Sequence, residues 1–262
     1  MKMEKFFSVA WEAAMSAGEL IRENWLRTKQ IHYKSTIDLV TTVDREAEAR
    51  IIQVLQKHFP HHSILAEEQT AIVGTQSDYH WIIDPLDGTT NFAHAYPHFS
   101  ISIALEREGE IILGLVYDPL REESFKATKG QGTFLNGNQI HTSNVAELDK
   151  ALLATGFPYD RRENANFYLS FFEAFLVHSQ GIRRNGSAAL DLCYLACGRV
   201  DGFWEFKLHP WDTAAGSLIV QEAGGTLSDF SGNEFSIWGD ETLGANGLLH
   251  KEMLEVIRQT NV

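Results

Sequence analysis

The stretch from Trp81 to Phe92, WIIDPLDGTTNF, contains residue types that can hold a metal ion and a phosphate group together. Two aspartates, Asp84 and Asp87, offer carboxylate oxygens, which are the ligands that hard divalent cations prefer. Gly88 permits a sharp turn, and Thr89 can begin a short helix whose free backbone amides suit a phosphate. One turn could therefore bind a cation and the phosphate that it polarises.

The element that must position this turn is the apolar run before it. Trp81, Ile82 and Ile83 are bounded by turn-forming residues, which predicts a short buried strand. We expect the strand to stop at Asp84, because Pro85 holds the preceding residue extended and lacks a backbone donor. For a bare Asp-Pro-x-Asp-Gly, the simpler interpretation is a proline turn with an Asx-type cap and no chemistry.

The longer string from Asp84 to His94, followed by Pro97, resembles the first signature of the inositol monophosphatase family. Haloacid dehalogenases also use two aspartates and a Gly-Thr, but with one residue between the aspartates where this chain has two. The stretch from Trp211 to Gly225 resembles the family's second signature, in which the aspartate after the tryptophan, here Asp212, binds a metal. Alone, Asp212 would be interpreted as a helix cap after Pro210. Two separated signatures in the right order argue against a chance match.

Further matches to the family are spread along the chain. They are Gly156-Phe-Pro-Tyr159, the small segment Gly186-Ser187-Ala188, and Glu205. In the family, the small segment and the acid lie around the sugar or inositol hydroxyls. Without the resemblance, Ser187 would be a helix N-cap and Glu205 an exposed acid on a strand. The resemblance implies substrate contacts at Asp87, Gly88, Thr89, Gly186, Ser187, Ala188, Glu205 and Asp212.

Paired acids follow another predicted strand, Ser63 to Ala66. Adjacent residues on a strand point to opposite faces, so only one of the two acids should enter a given site. We choose Glu67, because it matches the first glutamate of the family's Glu-Glu pair. Glu68 would then either contact the residues around the site or face solvent.

Asp44 stands near the start of a predicted helix from Val43 to His58, where the helix dipole favours an acid. The family resemblance offers another role, since Asp-Leu-Val-Thr-x-x-Asp recurs there and its last aspartate lies beside a more weakly held metal. The loop from Lys34 to Asp44 is a residue shorter than in some relatives, which leaves the role of Lys34 open.

The predicted metal ligands are all oxygen donors, which favours Mg²⁺ over zinc. We predict that one ion is held by Glu67, Asp84 and the Leu86 backbone carbonyl, which the turn leaves unpaired. A second ion is predicted at Asp84, Asp87 and Asp212. The resemblance implies a third, weaker ion near Glu67 and Asp44.

These ligands predict hydrolysis of a phosphomonoester by direct attack of a metal-activated water, without a covalent phosphoenzyme. We assign catalytic roles to Glu67, Thr89 and Asp44. Thr89, close to Glu67, would orient the attacking water, and the amides of Gly88 and Thr89 would stabilise the phosphoryl oxygens.

The expected substrate is inositol 1-phosphate, because Asn91-Phe-x-His94 and Glu205 look most like the inositol monophosphatases. Relatives in the superfamily hydrolyse fructose 1,6-bisphosphate, histidinol phosphate or 3'-phosphoadenosine 5'-phosphate, and these substrates stay open because pocket loops decide between them. A rival from another class is a regulatory protein that binds a partner, such as transcription machinery, with an incidental phosphatase site.

The formal net charge of −13 argues against a general nucleic-acid surface, which needs a basic stripe. The same charge opposes an anionic substrate unless bound divalent ions reverse the local sign. No apolar run is long enough to cross a membrane and the N-terminus lacks a signal-peptide core, so we expect a soluble cytoplasmic protein. The resemblance further implies lithium sensitivity and a homodimer.

The predicted helices and strands follow two different patterns in the two halves of the 262 residues. Up to residue 148, hairpin signals at Glu108-Gly109-Glu110 and Asn136-Gly137 predict an antiparallel α+β lobe. From residue 149 strands and helices alternate, which predicts an α/β lobe with a partly parallel sheet. No linker separates them, so we expect one unit of two fused lobes, 1–148 and 149–262. The resemblance implies a layered αβαβα sandwich.

Overall fold

The structure, a computed structural model, describes residues 2–27, 31–33, 39–68 and 77–260. The helices in these ranges are α1 (Lys2–Asn24), α2 (Thr42–His58), α3 (Thr89–Ala93), α4 (Ala165–His178), α5 (Ala188–Ala196), α6 (Pro210–Glu222) and α7 (His250–Gln259). The strands are β1 (Ile31–Tyr33), β2 (Leu39–Thr41), β3 (Ser63–Ala66), β4 (Tyr79–Asp87), β5 (Ser100–Arg107), β6 (Glu110–Asp118), β7 (Glu123–Thr128), β8 (Thr133–Leu135), β9 (Asn138–Gln139), β10 (Leu152–Thr155), β11 (Gly181–Arg183), β12 (Gly202–Phe206), β13 (Thr226–Ser228) and β14 (Glu241–Ala245). Among the helices of the described ranges, none has the length and apolarity that a membrane-spanning segment requires.

The larger sheet has seven strands in the order β3-β4-β5-β6-β7-β8-β9. β3 and β4 are parallel, and all other neighbours are antiparallel. The β5–β6 hairpin turns at Glu108 and Gly109, and the β8–β9 hairpin at Asn136 and Gly137. All four residues have positive φ, as two-residue turns that match the strand twist require. The predicted antiparallel meander is confirmed.

The smaller main sheet has five strands in the order β11-β10-β12-β14-β13. β11, β10 and β12 are parallel, whereas β14 and β13 join antiparallel, so the predicted partly parallel sheet is confirmed. Thr155 at the end of β10 pairs with Trp204 of β12. The carboxyl ends of these two strands therefore lie side by side, and Gly156 and Glu205 come together at that edge.

Side chains alternate between the two faces of each strand, so the buried side chains pack into three cores. These cores lie between five layers of helices and sheets. Trp81 and Ile83 of β4 face α1 and α2, whereas Ile82 faces the opposite core, which contains α5 and α6. That middle core also contains Phe203 of the five-stranded sheet, so α5 and α6 lie between the two sheets. α4 and α7 cover the outer face of the five-stranded sheet. The expected αβαβα sandwich is confirmed.

The division into two lobes, 1–148 and 149–262, remains a proposal. α6 belongs to the second half of the chain, yet it packs on β5, β6 and β7 of the first. A helix layer shared by both sheets favours a single folding unit over two independent ones.

β4 differs most clearly from its prediction, because it does not stop at Asp84 but continues through Pro85 to Asp87. Its pairing with β5 shifts register between Asp84 and Asp87. Pro85 therefore lies in an irregular part of the ladder, where the missing backbone donor is tolerated. Both aspartates are thus carried by the end of one long, buried strand.

Smaller differences lie away from this strand. The sequence analysis does not predict β1, β2, β7 or β13, all of which are short; in β7 the buried Phe125 and Ala127 alternate with polar residues, a signal that was available. The sequence predicts a helix from Arg161 to His178, and in the structure this helix begins only at Ala165. The sequence also predicts a surface loop near the site from Gln69 to Tyr79, and most of this segment, like Lys34, lies outside the described residues.

Candidate active site

The end of β4 forms the aspartate turn. Asp84 and Asp87 are both buried, and the Leu86 N–H donates to Asp84 Oδ1 at 2.9 Å. Gly88 precedes α3 with a φ of 95°, and a Cβ at this position would lie 3.0 Å from the His98 carbonyl oxygen. Both the left-handed backbone and the close packing therefore require glycine here.

Carboxylates from distant parts of the chain meet at this turn. Asp84, Asp87 and Asp212 each offer an oxygen within 4.8 Å of the others. Burial, followed by the negative charges of Glu67, Asp87 and Asp212, raises the pKa of Asp84 well above its usual value. A bound divalent cation would relieve this repulsion, so the all-oxygen donor set fits a hard metal ion.

The start of α5 holds Asp87 in place. The Ala189 N–H donates to Asp87 Oδ2 at 2.9 Å, and the Ser187 hydroxyl donates to the same oxygen. Burial raises the pKa of Asp87 to about 6, against the lowering effect of these hydrogen bonds. The Ser187 hydroxyl also accepts the Leu190 N–H, which confirms Ser187 as the N-cap of α5.

Asp212 enters the cluster from the first turn of α6. Pro210 is the first residue of this helix, and Asp212 Oδ2 accepts the His209 N–H at 2.7 Å. Asp212 therefore caps the helix from its third position, not as the N-cap. α6 also packs closely against α5, since a Cβ on Gly216 would lie 2.6 Å from Leu192 Cδ1.

The Thr89 hydroxyl lies between two acceptors, at 2.7 Å from Asp44 Oδ1 and 2.9 Å from the Leu86 carbonyl oxygen. A hydroxyl has one proton, so it donates to one of them at a time. The expectation that the Leu86 carbonyl is unpaired is therefore wrong, although this oxygen keeps a second lone pair for an ion. Asp44 and the Leu86 carbonyl are thus alternative acceptors for the Thr89 hydroxyl. The proximity of Thr89 to Glu67 stays a prediction.

Asp44 lies behind Thr89 and does not line the pocket. Its carboxylate accepts the Thr41 N–H at 2.9 Å, and burial raises its pKa. Thr41 and Asp44 form a capping box at the start of α2, so the interpretation of Asp44 as an acid in the first turn of this helix is confirmed. The hydrogen bond that Asp44 accepts from the Thr89 hydroxyl connects it to a residue that lines the pocket.

Glu67 lines the pocket and Glu68 does not, in line with the choice made between the two acids. The Glu67 N–H donates to the Ile83 carbonyl at 3.3 Å, which keeps this residue beside β4. The next N–H, that of Glu68, donates at 2.8 Å to a carboxylate oxygen of Glu48, a fully buried residue of α2.

A cavity of 580 Å³ opens over the acid cluster. Its lining includes each residue predicted to contact substrate: Asp87, Gly88, Thr89, Gly186, Ser187, Ala188, Glu205 and Asp212. Glu205 is only 9% exposed, so the interpretation as an exposed strand acid is wrong. Burial, followed by the charge of Asp191, raises its pKa well above the usual value.

Sequence reasoning missed five charged residues that line the cavity: Asp160, Arg161, Arg184, Asp191 and Lys207. Arg184 and Asp191, together with Glu205, form what we call the charged wall. Asp191 is buried in α5 and accepts a hydrogen bond from Asn185 Nδ2 at 2.7 Å; burial raises its pKa to about 8. The available signal was an acid inside the otherwise apolar stretch AALDLC.

Asn91 of α3 joins the aspartate turn to the charged wall. Its Nδ2 lies 2.7 Å from the His98 carbonyl oxygen and 2.8 Å from that of Asn185. Together with the hydrogen bond from Ser187 to Asp87, this contact fixes the two sides of the cavity relative to each other.

An αβαβα sandwich with a buried cluster of aspartates at the base of a polar cavity defines a protein suited to a divalent cation and a small polar ligand. The sequence model of the inositol monophosphatase family matches residues 2–261, and the chain belongs to this family. Nus factor SuhB of Salmonella typhimurium is 44% identical over 258 residues, which cover 98% of this chain and 97% of that protein. Inositol-1-monophosphatase of Synechocystis sp. is 43% identical over 261 residues, covering 98% and 90%. The crystal structure of extragenic suppressor protein suhB from Bartonella henselae superposes with a TM-score of 0.95 at 37% identity, covering 98% of this chain and 100% of that one.

Proposed function

We propose that this protein is a Mg²⁺-dependent phosphomonoesterase that hydrolyses inositol monophosphate to inositol and phosphate. The observation that carries the proposal is the convergence of Asp84, Asp87 and Asp212 at the base of the cavity. Buried acids that repel one another need a cation, and a cation there would offset the negative charge that otherwise opposes a phosphate ester. The family membership and the 43% identity to a cyanobacterial inositol-1-monophosphatase support the same activity.

In this proposal Glu67, Asp84 and the Leu86 carbonyl hold one ion, and Asp84, Asp87 and Asp212 a second. A third, weaker ion would lie near Glu67 and Asp44. Mg²⁺ would supply Lewis-acid activation of water and neutralisation of phosphoryl charge.

The protein's own groups would position the reactants. Thr89, whose hydroxyl contacts Asp44, would orient the attacking water, and Asp44 would set the direction of that hydroxyl. The Gly88 and Thr89 amides would face phosphoryl oxygens. The charged wall and the segment from Gly186 to Ala188 would receive the hydroxyl groups of the substrate.

Purified protein assayed with a panel of phosphomonoesters tests this function. We expect phosphate release that depends on Mg²⁺, is fastest with inositol 1-phosphate and is inhibited by Li⁺. Preference for fructose 1,6-bisphosphate, histidinol phosphate or 3'-phosphoadenosine 5'-phosphate would reassign the substrate within the superfamily. No phosphate release from any of these esters would contradict the proposal.

A second candidate is a regulatory role through a protein partner, favoured by the relatives that carry the name Nus factor SuhB. The two roles separate in cells whose own copy of the gene is deleted. If the cellular role is enzymatic, Asp84→Asn fails to restore growth; if it is partner binding, this variant restores growth as well as the unmodified protein does.

We also propose a cytoplasmic homodimer. The outer side of α4 supports self-association, because Leu169, Leu176 and Val177 are all at least half exposed there. Sedimentation should give the mass of a dimer, and Leu176→Glu should shift it toward that of a monomer without loss of fold.

A further inference from the structure

The carboxyl group of Glu205 lies directly over the backbone of Gly156. A Cβ built on Gly156 would come within 1.9 Å of Glu205 Oε1, 2.2 Å of its Cδ and 2.3 Å of its Oε2. No real Cβ tolerates such distances, so every other residue type at 156 would compete with the carboxyl for one space. Gly156 has no positive φ, so this steric reason, not backbone conformation, distinguishes glycine from alanine at this position.

The two residues meet because of the sheet register. Thr155 and Trp204 are paired on β10 and β12, which makes Gly156 and Glu205 the next residues along two parallel neighbours. The Thr155 hydroxyl donates to the Trp204 carbonyl at 2.7 Å and fixes the backbone just before the acid. Trp204 itself points into the outer core, where it packs on Phe175, so Glu205 must point to the cavity side.

The geometry points to Gly156 as a positioning residue for substrate specificity, which acts by letting the Glu205 carboxyl lie against β10 at the back of the cavity. This inference rests on the proposed function for its kinetic consequence. A side chain at 156 would push the carboxyl forward into the space where the hydroxyl-bearing part of the ester binds. The acid cluster would keep its position, because its ligands come from β4, α6 and the end of β3.

Gly156→Ala tests the inference through a pair of esters. We expect KM for inositol 1-phosphate to rise by roughly 10- to 100-fold, the effect of losing a hydrogen bond to a charged group. KM for 4-nitrophenyl phosphate, which has no hydroxyl groups to recognise, should change far less. Gly181→Ala on the neighbouring strand is the matched control, since its Cβ would meet only Leu152 Cδ1 at 3.6 Å and Arg183 Nη1 at 3.7 Å.

A double-variant cycle separates positioning from general damage to the fold. In the Glu205→Ala background the carboxyl is gone, so Gly156→Ala should add no further loss. Equal losses for both esters, or additive losses in the double variant, would overturn the inference. Mg²⁺ should raise the thermal unfolding midpoint of Gly156→Ala as much as that of the unmodified protein; a smaller rise would also count against it.

A crystal structure of Gly156→Ala tests the steric claim independently of any activity. The Glu205 carboxyl should move by more than about 1 Å while the Asp84, Asp87 and Asp212 cluster stays in place. If β10 moves instead and the carboxyl stays, the inference is wrong even for an active phosphatase. If the carboxyl moves but the unmodified protein hydrolyses no ester, the steric role stands and the proposed function fails.

Discussion

The two sides of the cavity handle charge in different ways. On the metal side, Asp84, Asp87, Asp212 and Glu67 face one another, and their repulsion contributes to the raised pKa of Asp84. On the charged wall, burial is the largest cause of the raised pKa of Asp191 and Glu205, and an acidic neighbour adds to it, Asp87 for Asp191 and Asp191 for Glu205. The guanidinium of Arg184 lowers both pKa values, so the wall contains a cation of its own, whereas the acids of the metal side have none among them. Reaction chemistry and substrate recognition should respond separately to mutation.

The largest loss of activity is expected from a change on the metal side, Asp84→Asn, which keeps the shape of the side chain and removes a charge from the cluster. We expect kcat/KM to fall by roughly a thousandfold or more, because a bridging ligand contributes several kcal/mol to binding and activation. The metal-free variant should unfold at the same temperature as the unmodified protein or higher, since a repulsive buried charge is gone. Phosphate release and thermal unfolding are the measurements.

Glu108→Gln, which removes an exposed charge at the β5–β6 turn, is the matched control for Asp84→Asn. It should leave both measurements unchanged. Retained Mg²⁺-dependent turnover by Asp84→Asn would refute its assignment as a ligand. Trapping of a phosphoaspartate would favour a dehalogenase-like mechanism instead.

The same two sides differ in how far the sequence predicts them. The metal side is predicted because Asp84, Asp87 and Asp212 lie in two strings that resemble family signatures; local turn chemistry alone would indicate only a proline turn and a helix cap. The wall depends on contacts between residues far apart in the chain, such as Glu205 over Gly156. Nothing local to Glu205 indicates that β10 will cover it, so the sequence suggests an exposed acid.

The fold shows the same limit. The hairpins and the alternation of strands and helices carry local signals, and these elements are confirmed. The continuation of β4 past Pro85 depends on its register with β5, which tertiary pairing decides. Local rules for proline therefore gave the wrong strand end.

Ser187→Ala should weaken the connection between the two sides. The Ser187 hydroxyl donates to Asp87, so its loss frees a metal-side carboxylate from α5. We expect the Mg²⁺ concentration for half-maximal activity to rise by roughly 10-fold or more, as for other groups that orient metal ligands. Ser217→Ala is the control, because that hydroxyl bonds within α6 to the Ala214 carbonyl. An unchanged Mg²⁺ requirement would contradict the role of Ser187.

The pH dependence of stability should also separate the two sides. The pKa of folded Asp87 is about 6, above that of an unfolded aspartate, so the folded state holds the proton more tightly. The stability of metal-free protein should therefore fall as pH rises from about 4 through about 6. Mg²⁺ competes with protons for these carboxylates, so it should raise the unfolding midpoint by several degrees more at pH 7.5 than at pH 5.

Asp191, with a pKa of about 8, should continue the decline to higher pH. The charge of Asp87 contributes to this pKa, so Mg²⁺ should reduce this part, but burial is the larger cause and should preserve most of it. Asp191→Asn should remove the contribution of Asp191 and leave that of Glu205, whose pKa is also raised. Calorimetry of the two proteins, with Mg²⁺ and with a chelator, checks both parts. Loss of the whole pH dependence on adding Mg²⁺ would show that the charge of the metal side, and not burial, controls the titration of Asp191.

The smallest effect on activity is expected at the far end of α6. This helix brings Asp212 to the cavity at its start, and Glu222 at its end accepts the Gly130 and Gly132 N–H groups, each at 2.7 Å. Glu222→Ala should lower the free energy of unfolding by about 1–2 kcal/mol and leave kcat and KM unchanged, because these bonds hold the β7–β8 turn and touch neither side of the cavity. Glu173→Ala, an exposed acid on α4, is the control for charge alone. If Glu222→Ala raises KM for either ester, α6 transmits strain to Asp212, and the metal side is less independent of the rest of the fold than the separation of charges implies.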